Sequence, residues 1–181
     1  DIAKYLSAVY HAANAIALLN GPPLPERRLF LKFPALAEEA GRPGMSIGLF
    51  GLIGRTHVKV SSLESWLPDW ASMFKAAFET GKADPRIHIA RLTYYQKCFE
   101  AMLGSDDPKV MLWPLINTWT LSTLALPTNK CLPWETACKH LGLNKEDFSN
   151  RVEGLDHYLD EVEILLDEIA EANGLETSTT I

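Results

Sequence analysis

Three side chains that could bind an anion recur at helical spacing near the middle of the sequence. His88, Arg91 and Tyr95 stand at positions i, i+3 and i+7, which share one face of a helix. Together an imidazole, a guanidinium and a phenol can contact a single anionic ligand. The alternative is a solvated helix face with a partly buried tyrosine, and the sequence leaves both interpretations open.

A basic stretch upstream supplies two further candidates for the same ligand. Between positions 26 and 59, three acids accompany seven basic side chains, which are Arg27, Arg28, Lys32, Arg42, Arg55, His57 and Lys59. This surplus of positive charge favours an anion in the region. We therefore predict a small anionic ligand, bound by Arg55, His57, His88, Arg91 and Tyr95.

The sequence contains no motif for metal binding or nucleophilic catalysis. Cys131, Cys138 and His140 are spaced unlike the ligands of the usual zinc motifs, so no metal is predicted. The glycine-rich run from Gly44 to Gly54 lacks the glycine spacing and the lysine of a phosphate-binding loop. The residues by themselves predict no cofactor, and they do not decide whether the chain is an enzyme.

Composition excludes several classes of protein. The 181 residues are 47% hydrophobic and 22% charged, which is typical of a globular domain and not of a disordered chain. A formal net charge of −6 argues against general nucleic-acid binding, because phosphate recognition needs a surplus of Lys and Arg. Three cysteines and no signal peptide indicate a cytoplasmic protein. A first residue other than Met is expected of a processed chain or of a piece of a longer one.

Proline and glycine divide the chain into helices. The predicted helices cover 2–20, a short segment from Pro34 to Gly41, 63–81 with a restart at Pro68, 84–104, 107–126 with a kink or late start at Pro114, and 133–142. Residues 22–56 are predicted to be mainly a Gly/Pro-rich connecting segment. Residues 110–129 carry no formal charge, yet their polar side chains favour a buried central helix over a membrane span.

The last helix, which we expect Asn144 to cap, has a heptad pattern. Its seam consists of Phe148, Val152, Leu155, Leu159, Val162, Leu166 and Ile169. Residues 145–176 carry a net charge of −9, which leaves +3 for the rest of the chain. The seam predicts packing against the bundle, and a homodimer through residues 148–169 is the alternative.

These observations predict an all-α protein, an antiparallel bundle of five to seven helices with a long C-terminal heptad helix. We expect a single domain over residues 1–175 and a flexible tail over 176–181. No membrane partner is expected.

Parts of the sequence resemble a known family. The stretches YHAANAIALLNG (Tyr10 to Gly21), LWPLINTWTL, and WETACKHLGLNKEDFSNRVEGLDHYLDEVEILLDEIAEANG (Trp134 to Gly174) resemble the helical C-terminal domain of nucleotidyltransferase-like proteins, distantly similar to the aminoglycoside nucleotidyltransferases. The resemblance implies a non-catalytic helper that binds substrate or nucleotide for an adjacent catalytic domain, with a nucleotide and Mg²⁺ as its ligand. Gly104-Ser105 is not followed by the Asp-x-Asp of that family, so the resemblance assigns no catalytic residue.

Three other functions stay open. Arg151 and His157 match the Arg-then-His spacing of RNases of the HEPN type, although acidic neighbours oppose RNA binding. A stand-alone small-molecule-binding protein or enzyme would use a pocket between helices. A helical dimerisation module would use the heptad seam.

Overall fold

The computed structural model describes residues 1–144 and 147–175, and this part of the chain contains helices and no strand. Its eight α-helices are α1 (Ile2–Ala17), α2 (Leu29–Glu39), α3 (Gly44–Leu52), α4 (Val60–Glu79), α5 (Ile89–Leu103), α6 (Leu112–Thr123), α7 (Leu132–His140) and α8 (Phe148–Ala172). Short 3₁₀ turns cover Glu26–Arg28, Pro108–Met111 and Thr128–Lys130. The all-α bundle is confirmed, although the described residues form more helices than the five to seven predicted. The predicted tail, residues 176–181, lies outside the described residues.

Helix α6 lies at the centre of the bundle, as predicted. It contacts α1, α4, α7 and two of the 3₁₀ turns, and the side chains of Trp113 and Trp119 are fully buried. The 3₁₀ turn Pro108–Met111 leads into α6, so the helix starts later than residue 107, as predicted, but at Leu112 and not at Pro114. None of the helices described is long and apolar enough to span a membrane.

The polar residues of this uncharged helix serve as hydrogen-bond partners inside the core. The Trp70 indole N–H donates to Thr118 Oγ1 at 3.0 Å, and Thr118 Oγ1 donates in turn to the carbonyl of Pro114 at 2.7 Å. Trp134 Nε1 donates to Thr120 Oγ1 at 3.0 Å. Because buried polar groups are costly unless they are hydrogen-bonded, these threonines allow large indole side chains to be buried.

The prediction of a connecting segment over residues 22–56 was wrong for most of its length. Pro34 lies inside α2 instead of opening a helix, and the glycine-rich run forms α3. Helix α2 buries the side chains of Leu29, Phe30, Phe33 and Ala37. Burial of a leucine or phenylalanine side chain contributes about 1.5–3 kcal/mol to stability. This exceeds the cost of about 1 kcal/mol for a glycine inside a helix, and it offsets much of the larger cost of a proline there.

Two predicted helix boundaries in the middle of the chain were also wrong. Helix α4 runs without a break through Pro68, because Trp70 and Phe74 are fully buried on the same element. Helix α5 begins at Ile89, and the preceding Asp84-Pro85 forms a turn in which the carbonyl of Asp84 accepts from the N–H of Ile87 at 2.8 Å.

Helix α8 packs against α1 and α3 through its apolar side. Its deepest side chains are Leu155, Tyr158, Val162 and Leu165, so the buried stripe is displaced from the predicted seam, and Val152 is 39% exposed. Asn144 does not cap the helix as predicted. Its side chain accepts from the N–H of Asp147 at 3.1 Å in the preceding turn. The seam is thus largely covered by this chain's own helices.

Candidate functional site

Two of the five predicted ligand-binding residues line one cleft. We call it the Tyr95 cleft, a cavity of about 510 Å³ between the 3₁₀ turn Glu26–Arg28, the first half of α5 and the start of α6. Arg91 and Tyr95 belong to α5, and Glu26 and Arg27 face them from the 3₁₀ turn. Thr118 of α6, which is fully buried, closes the cleft at its base.

Helical spacing explains why α5 presents these side chains in this way. Leu92, Tyr95 and Phe99 form its buried side, and the Tyr95 ring packs edge-on against Trp70 at 6.3 Å and Phe74 at 6.0 Å between ring centres. The tyrosine ring is therefore held by α4. Arg91 is exposed and stands four residues earlier on the same helix, so that both side chains line the cleft.

The other three predicted residues lie elsewhere. His88 is the N-cap of α5, where its Nδ1 accepts from the N–H of Ala90 at 3.2 Å and its ring packs on Phe78. It therefore does not share a helical face with Arg91. Arg55 forms an ion pair with Asp107 and lies 4.1 Å from the ring centre of Phe50.

His57 lines a separate polar cavity of about 380 Å³, together with Lys139, His140 and Arg151. The structure thus brings Arg91 and Tyr95 together and places Arg55, His57 and His88 at other positions. Of the five residues predicted to contact one ligand, Arg91 and Tyr95 therefore remain as candidates, because both line the cleft.

An ion-pair network ties the two walls of the Tyr95 cleft together. Arg86 binds Asp84 with two hydrogen bonds, Nε to Oδ1 at 2.8 Å and Nη2 to Oδ2 at 2.9 Å. Its Nη1 also donates to Glu26, which connects the segment before α5 to the 3₁₀ turn. The hydrogen bonds from Arg86 hold the pKa of Asp84 below its usual value. Asp84 is consequently ionised near neutral pH.

The two guanidiniums that line the cleft, those of Arg27 and Arg91, have no carboxylate partner among the described residues. Ion pairs within 4.0 Å among residues 1–144 and 147–175 involve Arg42, Arg55 and Arg86, and neither Arg27 nor Arg91 takes part. Arg27 lies 5.3 Å from the ring centre of Tyr94, whose side chain is 45% exposed. The cleft therefore contains two guanidiniums, one of which packs over the Tyr94 ring, and this ring is partly exposed to solvent.

Tyr95 supplies a neutral hydroxyl to the same space. Its side chain is only 8% exposed, and burial raises the pKa of the phenol, as does the nearby carboxylate of Glu26. The positive charges of Arg91 and Arg86 lower this pKa, to a smaller extent. The phenol therefore stays protonated near neutral pH, next to a guanidinium. Phenol and guanidinium are both hydrogen-bond donors, which is the pairing that an anionic oxygen requires.

Sequence reasoning missed part of this cleft. Arg27 belongs to the basic stretch but not to the predicted ligand-binding residues, and neither Glu26, one of the acids of that stretch, nor Tyr94 is among them. The tandem tyrosines that follow Arg91 were a usable local signal, because Tyr94 and Arg91 are three residues apart on a helix. No local signal connects Glu26 to Arg86, since 60 residues separate them.

A cavity larger than the Tyr95 cleft lies elsewhere in the described residues. It has a volume of about 670 Å³ and lies between the start of α1, α7 and the start of α8, where Ile2, Trp134, Leu143 and Phe148 make it mainly apolar. No cationic side chain is found among its described lining residues. The smaller Tyr95 cleft is lined by the guanidiniums of Arg27 and Arg91, and we therefore consider it the better candidate for an anionic ligand.

Arg151 and His157, the residues that match the HEPN spacing, have separate roles in the structure. Arg151 donates to the carbonyls of Gly51, Leu141 and Gly142. The side chain of His157 is 75% exposed, with Nδ1 at 4.0 Å from Asp160. The guanidinium of Arg151 is thus engaged by main-chain acceptors. Across the part of the chain that is described, no three His, Cys, Asp or Glu side chains are grouped to hold a metal ion.

Comparison of this chain with protein-family models, with curated proteins and with solved structures finds no match. The nucleotidyltransferase resemblance therefore stays a prediction from the sequence, and the functional argument depends on the cleft.

Proposed function

We propose that this chain is a non-catalytic helical binding domain that holds a small anionic ligand in the Tyr95 cleft. The observation that carries the proposal is the position of Arg27 and Arg91, two guanidiniums without a carboxylate partner within 4.0 Å in the described residues, on opposite walls of one cleft. In a soluble domain, guanidiniums are usually paired or solvated, whereas these two converge on a concave surface above the buried phenol of Tyr95.

In the arrangement that the sequence resemblance implies, the ligand is a nucleotide or acceptor of an adjacent catalytic domain. Tyr94 supports a ligand with a planar group, because an exposed aromatic ring at the mouth of a cleft provides a stacking surface. We expect the domain to act in the cytoplasm, where its free cysteines Cys98, Cys131 and Cys138 stay reduced.

The test is an NMR titration of the ¹⁵N-labelled chain with inorganic phosphate, benzoate, and ATP with and without Mg²⁺. At least one of these anions should shift the amide resonances of α5 and of the Glu26–Arg28 turn. Arg91→Ala should weaken that binding at least about tenfold, equivalent to about 1.4 kcal/mol, because it removes a charge-assisted hydrogen bond.

Lys97→Ala is the matched control, because it removes the same charge from an exposed position of the same helix, outside the cleft. It should leave affinity within about twofold of the unmodified chain, a change of about 0.4 kcal/mol. The proposal fails if no anion of the panel binds, or if Lys97→Ala weakens binding as much as Arg91→Ala does.

A further inference from the structure

The Tyr95 cleft is lined by a carboxylate as well as by guanidiniums, and the balance of their charges limits the charge of the ligand. Of the lining residues, Arg27 and Arg91 contribute two positive charges and Glu26 contributes one negative charge, while Arg86 and Asp84 behind the lining pair with each other and add no net charge. The cluster has a net charge of one positive unit. A ligand with a single negative charge neutralises it, whereas each additional negative charge would be left without a counter-charge.

Glu26 is placed where it would oppose a second negative charge. It lines the cleft itself, and its Oε1 accepts from Arg86, so the carboxylate is held in the wall between Arg86 and Arg27. Its influence reaches the centre of the cleft, because its charge raises the pKa of the Tyr95 phenol. A phosphate group bound by Arg27 and Arg91 would bring its second charge close to this carboxylate.

Apolar groups complete much of the lining. Pro25, Ala90 and Pro114 line the cleft together with the Tyr94 ring, which is 45% exposed. Aromatic rings pack favourably on such surfaces in offset or edge-to-face arrangements. The planar fork of a guanidinium matches the two oxygens of a carboxylate.

We infer that the ligand of the Tyr95 cleft is an aromatic or heteroaromatic monocarboxylate. Its carboxylate binds the guanidiniums of Arg27 and Arg91 and accepts from the phenol of Tyr95, while its ring packs on Tyr94. Glu26 determines specificity by rejecting dianions. This inference rests on the proposed function, and it adds the charge and the shape of the ligand.

The test compares two ligands that share a phenyl ring and differ in charge. Benzoate carries one negative charge, and phenyl phosphate carries nearly two at pH 7.5, since the second pKa of such phosphates is about 6. NMR titrations should show that the chain binds benzoate at least threefold more tightly than phenyl phosphate. Glu26→Gln keeps an oxygen that can accept from Arg86 but removes the charge. It should raise the affinity for phenyl phosphate at least fivefold and that for benzoate by a smaller factor, because the repulsion that is removed scales with the charge of the ligand.

Glu79→Gln, an exposed change on α4 outside the cleft, is the control and should alter neither affinity. Cyclohexanecarboxylate, whose ring is not aromatic, tests whether the ligand ring packs on Tyr94. Tyr94→Leu should weaken the binding of benzoate severalfold more than the binding of cyclohexanecarboxylate. The inference is overturned if the unmodified chain prefers phenyl phosphate, or if Glu26→Gln leaves the preference unchanged. In either of these cases the proposed function of the cleft as an anion site is kept if phenyl phosphate binds and Arg91→Ala abolishes its binding. If neither ligand nor any other anion binds, both are overturned.

Discussion

The main chain of Gly54 packs directly against that of Leu141: a β-carbon built on Gly54 would lie 2.3 Å from the Leu141 carbonyl oxygen. The same carbonyl accepts a hydrogen bond from Nη2 of Arg151 at 2.8 Å. Three elements distant in the sequence therefore meet at one point, the turn after α3, the end of α7 and the first half of α8. This junction supports α8 against the bundle.

Gly54→Ala is expected to destabilise the protein more than the same substitution at a positive-φ glycine that has no main-chain atom close to it. Gly54 has φ +71° and would clash with main-chain atoms, whereas Gly81 has φ +70° with nothing within 4 Å. Gly81→Ala should cost about 1–2 kcal/mol from backbone strain. Gly54→Ala should cost at least about 2 kcal/mol more, from overpacking. Urea denaturation measures both, and equal losses would contradict the close contact.

Arg151→Lys should lower the free energy of unfolding by at least about 2 kcal/mol, because hydrogen bonds to charged groups contribute about 1.5–3 kcal/mol each. The guanidinium serves carbonyls at the ends of both α3 and α7, and a single ammonium cannot reach all three. Arg42→Lys is the control, because Arg42 is 36% exposed and forms one surface ion pair, with Glu168. It should change stability by less than about 0.5–1 kcal/mol. Similar midpoints in urea for the two variants would show that the three-carbonyl contact contributes little.

Thr118→Val should destabilise the core by about 1–3 kcal/mol, although it nearly preserves the volume of the side chain. The substitution removes the acceptor of the fully buried Trp70 indole N–H. Thr136→Val removes a hydroxyl that is exposed and bonds only within its own helix, to the carbonyl of Leu132. Chemical denaturation followed by tryptophan fluorescence should separate the two variants. A Thr118→Val protein as stable as Thr136→Val would argue against the indole–hydroxyl bond.

Asp84→Asn should reduce stability near neutral pH and have a smaller effect in acid. The hydrogen bonds from Arg86 lower the pKa of Asp84 in the folded chain from its usual 3.8. The unfolded state therefore takes up the proton first, and the stabilisation present above about pH 5 is lost as the pH falls through the folded-state pKa. Urea denaturation from pH 7 to pH 3 should show the variant and the unmodified chain converging. Asp69→Asn, at an exposed position of α4, is the control and should change stability at pH 7 by less than about 0.5 kcal/mol.

Tyr95→Phe should separate ligand binding from folding. The ring keeps its packing on Trp70 and Phe74, so the free energy of unfolding should change by less than about 1 kcal/mol. Affinity for the anion that binds the cleft should fall about 3- to 10-fold, since the hydroxyl donor is lost. An unchanged affinity in the NMR titration would remove Tyr95 from the site.

Periodicity alone predicted several elements of this fold. Helix α6 was recognisable because residues 110–129 have no formal charge and little polar surface, and the apolar spacing of α8 was evident from Leu155 and Val162. The helices through Pro34 and Pro68 were not predicted. Local propensity opposes them, and they exist because the side chains on either side of each proline are buried against other helices.

For the cleft, the sequence by itself determined that Arg91 and Tyr95 occur within one helix at neighbouring positions, because spacing along a helix is a local property. It also determined the helical class and the acidic character of the last helix. Only the tertiary structure decided that Arg27 and Glu26 face Arg91, and that Arg55, His57 and His88 do not share the cleft. Glu26 meets Arg86 across 60 residues of chain, and such a meeting depends on how α4, α5 and α6 pack, which no local pattern encodes.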